Sequence, residues 1–285
     1  MSVVSSGKFI FCEGKKTSLD YQLLNQIVTN IATIVPSGGK FGFSTFIEGY
    51  FSSTNIDNKK YLVFRDRDFD AEPTSDIGLI QLRRNVWLTH RPCVENYLLH
   101  SDLIHTYWQE KYQEKQNNPT SKWGHGNSPG IEIISEWIES AARNLKEYQT
   151  VRWSLANLLL DSATRTQLKT TWTGGSGQLP KSLDLLDCKN EAIELIKQFR
   201  KVVDTVTQER FEESFEKYQQ KFAQEEFWEQ KQYLIWFHGK DIQKEMQRQK
   251  SQYISLNIFF GWAITNIDID RYPDLRELQM KIEQL

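Results

Sequence analysis

The chain has little cysteine. Three occur in 285 residues, Cys12, Cys93 and Cys188. They are odd in number, widely spaced and form no CxxC pair, so no zinc or redox motif is present and a reducing cytoplasm is the natural setting. Excess charge of either sign is also missing. Lys plus Arg is 35 against 37 Asp plus Glu, a formal charge of −2. Any nucleic-acid contact must therefore come from a local patch or from metal-bridged phosphate. No apolar run approaches a membrane span, and no N-terminal signal pattern stands out, so no membrane association is expected. Several catalytic motifs are lacking too. Gly14-Lys15 and Gly39-Lys40 do not have GxxxxGK[ST] spacing, and the Gly174–Ser182 stretch carries Pro180 where glycine is needed. His100 and His105 are five apart, no HExxH or GxSxG occurs, and nucleotide hydrolysis by this chain alone, a zinc site and serine or cysteine catalysis all lack support.

What is present is the composition of a globular protein, 39% hydrophobic and 25% charged, with 16 Phe, 11 Tyr and 9 Trp to build a core. The central stretch is Tyr61-Leu62-Val63-Phe64-Arg65-Asp66-Arg67-Asp68-Phe69-Asp70. Tyr61–Phe64 reads as a buried strand. If the extended conformation continues, Asp66, Asp68 and Asp70 share one side of it. Three carboxylates so placed repel, and a hard divalent cation removes that repulsion. The same letters also suit a solvated Asp-rich turn.

Lys8–Cys12 reads as a first strand, ended by Glu13-Gly14. Thr17 or Ser18 caps a helix whose apolar positions run from Leu19 through Leu23, Leu24 and Ile27 to Ile31 and Ile34. Pro36-Ser37-Gly38-Gly39 closes it. Phe41–Ile47 is expected as a second strand, Tyr61–Phe64 as the third and Val86–Leu88 as a fourth, with a loop at Ala71–Asp76 and a helix starting near Cys93. Such alternation predicts a parallel α/β sheet over residues 1–110, with ligands bound at the carboxyl ends of its strands. Glu13, Asp66, Asp68 and Glu95 all fall just past strand ends. Residues 111–285 are expected to be mainly helical. Breaks lie at Lys115–Gly130 and Thr171–Pro180, and a helix spans about Glu132–Leu160. The stripe Ile193, Ile196, Phe199, Val203, Val206, Phe211, Phe215, Tyr218 and Phe222 follows, on a region of balanced charge that is no basic nucleic-acid face. It suits a partner-binding or lid module, or plain packing. The late apolar runs Tyr233–Phe237 and Ile254–Ile264 are candidates to pack back on the first domain.

Glu13 after one strand and Asp66-x-Asp68 after a later one resemble the TOPRIM domain of topoisomerases, primases and related nucleases. Phe11–Asp20, Val63–Asp70 and Val94–Leu99 are similar to three motifs of the TOPRIM subfamily that includes effectors encoded beside ABC-type ATPases in anti-phage systems of the PARIS kind. Phe237-His238-Gly239-Lys240-Asp241 is similar to a late Gly-Lys-Asp element of those proteins. The match covers the first hundred or so residues well and the helical part loosely. Cys12 departs from it, where a β-branched residue is common.

The resemblance implies a TOPRIM-like sheet flanked by helices and a Mg²⁺-dependent nuclease, with Mn²⁺ as the alternative ion. Its expected setting is the cytoplasm, as the toxic effector of anti-phage defence. The implied partners are nucleic acid as substrate, RNA such as tRNA or DNA, and a separate ABC-type ATPase sensor, with a homodimer as one option for assembly. Asp66 and Asp68 are the implied metal ligands, Glu13 a further ligand or the acid/base, Asp70 and Glu95 candidates for a second ion, and Lys240 a catalytic phosphate contact. For Glu95 a carboxylate favoured by a helix N-terminus is an equal reading. Lys15, Lys16, Arg65 and Arg67 are candidate phosphate contacts, the arginines equally salt-bridge partners of the aspartates. Asp20 is read as stabilising the first helix or its turn. The competing reading is a non-catalytic TOPRIM-like module that binds an ATPase or nucleic acid. A topoisomerase or primase is the weakest option, for want of a tyrosine-bearing or zinc-bearing companion domain.

Overall fold

A computed structural model of the chain describes residues 7–28, 31–39, 43–51, 60–118, 120–161, 182, 185–204 and 206–285. They divide into two compact units, 1–146 with 225–285, and 147–224.

The first unit is built on a five-stranded sheet of order β2-β1-β3-β5-β4, from Thr33–Pro36, Lys8–Cys12, Lys60–Arg65, Val86–Leu88 and Ile80–Arg83. The first four run parallel, and β4 pairs antiparallel with β5 at one edge. β1 and β3 are continuous apolar runs because both their faces are covered. Phe11 and Val63 on one face meet Phe43, Ile47 and Phe51 of the segment around α2 (Phe43–Tyr50). Ile10, Leu62 and Phe64, all pointing to the opposite face, are also buried. Helix α1 (Leu19–Val28) packs against α11 (Leu256–Asn266) and α12 (Pro273–Gln284), so the late apolar run around Phe259 belongs to the same unit as the sheet. Ser18 caps α1, its hydroxyl accepting from the Tyr21 amide at 3.4 Å.

Two expectations are corrected. Thr33–Pro36 is a strand pairing with β1 and not the end of the first helix. The segment from Phe43 is helix and not strand, burying Phe43, Ile47 and Phe51 at four-residue spacing. β4 was not anticipated. Helix α3 (Glu95–Leu98) is a single turn, followed by α4 (Ser101–Asn117) and α5 (Ile131–Asp161), the last matching the expected span. Among the described residues no helix is long and apolar enough to cross a membrane.

The second unit contains α6 (Leu185–Val203) and α7 (Gln208–Ala223), the latter capped by Thr207. Trp153 and Tyr218 are fully buried with ring centroids 5.7 Å apart, and Phe222 continues the packing. Ile193 and Val206 of the predicted stripe are exposed. The Thr171–Pro180 break, Phe41 and the side chains of Cys188, Ile196 and Val203 lie outside the described residues.

Candidate metal centre

The acids gather at the carboxyl edge of the sheet. Parallel pairing sets Cys12 beside Phe64, so Glu13, just past the end of β1, follows next to Arg65, the last residue of β3. Gly14 then turns the chain with φ +77°, and a Cβ there would lie 2.7 Å from Ser18. Only glycine suits both demands. The turn delivers Asp20 to the first turn of α1, facing the same edge.

Arg65 extends between two acids. Its Nε donates to Glu13 Oε1 at 2.9 Å and its Nη2 to Asp70 Oδ2 at 2.7 Å. Asp66, one residue on, points elsewhere. Ligand atoms of Asp66, Cys93 and Glu95 all lie within 4.8 Å of one another, and all three residues are buried. Asp66 Oδ1 is buried and has no hydrogen-bond partner. A carboxylate oxygen in that position is costly unless a cation or proton meets it. Burial, followed by the nearby Asp20 and Glu95, pushes the Asp66 carboxyl well above the usual range, with Lys240 acting the other way. Asp20 rises from 3.8 to about 6, through burial and the charge of Glu95, opposed by Lys240.

Lys240 Nζ stands 3.7 Å from Glu95 Oε1, with its side chain half exposed. Burial lowers its pKa, but the carboxylates of Glu95, Asp66 and Asp20 outweigh that and hold it above the ordinary lysine value. It therefore stays a cation at neutral pH. Cys93 sits among the acids as a thiol. Its Sγ donates to Asn96 Oδ1 at 3.1 Å, and burial, then Glu95 and Asp66, push its pKa up. A protonated thiol is a poor ligand, whereas paired carboxylate oxygens suit a hard divalent ion such as Mg²⁺. The donor set at Asp66 and Glu95 fits such an ion.

The late Gly-Lys-Asp element is fastened to this site by Asn96. Its Nδ2 donates to the carbonyls of Leu234 and Phe237 at 3.0 and 2.9 Å, and its Oδ1 accepts from the Gly239 amide at 2.8 Å. At Gly239 a Cβ would meet Asn96 Oδ1 at 2.7 Å and its backbone nitrogen at 2.8 Å, so glycine permits the approach that starts α10 (Gly239–Gln249) and places Lys240. His238 Nε2 lies 3.1 Å from Asp68 Oδ1, and its Nδ1 is 3.8 Å from Cys93 Sγ. Asp68 itself adopts φ 49°, a left-handed conformation that Asp tolerates better than most residues, and its amide donates to the Pro92 carbonyl at 2.7 Å.

Of the predicted residues, Asp66, Glu95 and Lys240 come together, Asp68 is met by His238, and Glu13 and Asp70 meet at Arg65. Arg67 is not a phosphate contact. It is fully buried and donates to the carbonyls of His90 at 3.0 Å, Ala71 at 2.7 Å and Ile235. Burial lowers its pKa to about 10. Lys15 and Lys16 are exposed. Asp20, Asn96 and His238 were missed as site residues. A signal existed for Asp20, which follows the first strand at the ligand-binding edge of a parallel sheet.

Fold and site together define an α/β protein with a buried acidic centre at the carboxyl edge of a mostly parallel sheet. No protein-family model matches the chain, and no curated protein matches it.

Proposed function

We propose that the protein is a Mg²⁺-dependent nuclease of TOPRIM type, cutting RNA or DNA as the toxic effector of an anti-phage system with a separate ATPase. The observation that carries the reading is the buried, unpartnered Asp66 Oδ1 beside Glu95 at the sheet edge. Asp66 and Glu95 would hold the ion, with Asp20 adding negative charge nearby. When bound, Mg²⁺ supplies charge stabilisation to the phosphoryl oxygens. Lys240, protonated and half exposed, is the group of this chain that meets the phosphate. Asn96 and Gly239 hold its helix in register with the acids. His238 keeps Asp68 oriented on the rim. The ATPase partner rests on the resemblance alone, and co-purification from the native operon tests it.

The test of the activity is incubation of purified protein with mixed tRNA and plasmid DNA, in Mg²⁺ or in chelator. Cleavage in Mg²⁺ that stops with chelator is expected. The second reading, a binding module without catalysis, is favoured by one observation: Glu13 and Asp70 are both engaged by Arg65. Binding of nucleic acid without cleavage under any divalent ion would select it.

A further inference from the structure

Arg65 differs from Lys240. Its side chain is only 10% exposed, and those of Glu13 and Asp70 only 19% and 12%. The pair of bonds is therefore shielded from solvent and is no loose surface ion pair. Its guanidinium lies 5.9 Å from the centroid of the Phe43 ring, which supports it from the side. Its planar fork meets the two acids with two separate nitrogens, at 2.9 and 2.7 Å. Four of the acids at the sheet edge thus fall into two pairs, apart from Asp20 and from Asp68, which His238 meets. Glu13 and Asp70 share a built-in cation. Among the described residues Asp66 and Glu95 share none at hydrogen-bond distance, the Lys240 amine being 3.7 Å from Glu95 and Asp66 Oδ1 having no partner.

Two-ion phosphodiesterases set their ions about 4 Å apart and need enough carboxylates to ligate both. Here two of the acids that would serve a second ion already hold the head of Arg65. We infer that Arg65 stands in for a second divalent cation, so that the site takes a single ion, at Asp66 and Glu95. This rests on the metal reading proposed above. Arg65 is then a positioning residue. It neutralises Glu13 and Asp70, fixes Glu13 beside the first strand, and keeps both acids from ligating metal. Register explains how: the β1–β3 pairing places Cys12 opposite Phe64, and Glu13 and Arg65 are the residues that follow.

Mn²⁺ is the probe, counted on the full chain by titration calorimetry and by electron paramagnetic resonance. The wild type should bind one ion per chain. Asp66→Asn should weaken it by about a hundredfold or more, whereas Glu13→Gln and Asp70→Asn should each leave the affinity within about threefold, less than loss of an outer-shell partner of a ligand costs. Arg65→Gln, if its melting curve shows a folded protein, should gain a second, weaker ion through the freed acids. Two ions on the wild type overturn the inference and leave the metal reading intact. So does a tenfold loss with Glu13→Gln, or a folded Arg65→Gln that still takes one ion. No ion on the wild type overturns the metal reading itself. If Arg65→Gln does not fold, the wild-type count and the Glu13 and Asp70 variants decide.

Discussion

Asp20 should make the metal-free protein less stable as pH rises. Its folded pKa is raised from 3.8 to about 6 by burial and by Glu95. Between those values the folded state binds more protons than the unfolded state, so stability falls with increasing pH and the loss is complete above the folded value. A shift of that size amounts to about 3 kcal/mol as an upper figure, because each pKa unit is worth roughly 1.4 kcal/mol. About 2 kcal/mol of it should appear between roughly pH 4.5 and pH 7.5, since the unfolded carboxyl is already largely ionised at the lower pH. Asp66, also raised by burial, contributes in the same sense. The comparison is therefore wild type against Asp20→Asn, which keeps the shape and removes the charge. Urea unfolding in chelator at a series of pH values is the assay. The variant's advantage should grow by about 2 kcal/mol across the window, or several degrees in Tm for a chain of this size. Mg²⁺ should shrink it, by offsetting the charge. An advantage that is flat with pH, or that falls, would refute the placement of Asp20 in the acidic centre.

Arg67→Met should cost about 2–4 kcal/mol in urea unfolding, because it strands three carbonyls that a buried guanidinium now serves. Gly239→Ala forces a methyl against Asn96 and should cost about 1–3 kcal/mol. It should also lower cleavage, by moving Lys240, in a nuclease assay run beside a melting curve. Lys240→Gln should fold normally and lose about 10²–10³ in cleavage rate, the usual effect of removing a cation aimed at developing charge.

Strands buried on both faces were legible in the sequence. Phe9–Cys12 and Leu62–Phe64 have no polar alternation because helices cover both sides, and such runs have few other readings. Thr33–Pro36 was not legible. Ile31 and Ile34 extend the spacing of the preceding helix, and a four-residue strand has no period of its own. At α2 the reverse holds: the apolar run Phe41–Ile47 suits a strand, while Phe43, Ile47 and Phe51 carry the helical period that the fold uses. Leu82 is exposed, which left β4 without an apolar signal. In the site, Asp66 and Glu95 could be named because each follows a strand end. The Arg65 bridge depends on the register of β1 against β3, which no local pattern specifies. Asp20 was hidden by a sufficient local explanation, a carboxylate at a helix N-terminus.

We propose that Asp66 holds the ion on which phosphodiester cleavage depends. The direct measurement is cleavage of tRNA and plasmid DNA in Mg²⁺ by wild type and by Asp66→Asn, each with a melting curve taken in chelator. Asp66→Asn should melt at or slightly above the parent, because it removes a buried carboxylate whose oxygen has no partner, and it should not cut either substrate. A folded Asp66→Asn that cuts like the parent would contradict the account.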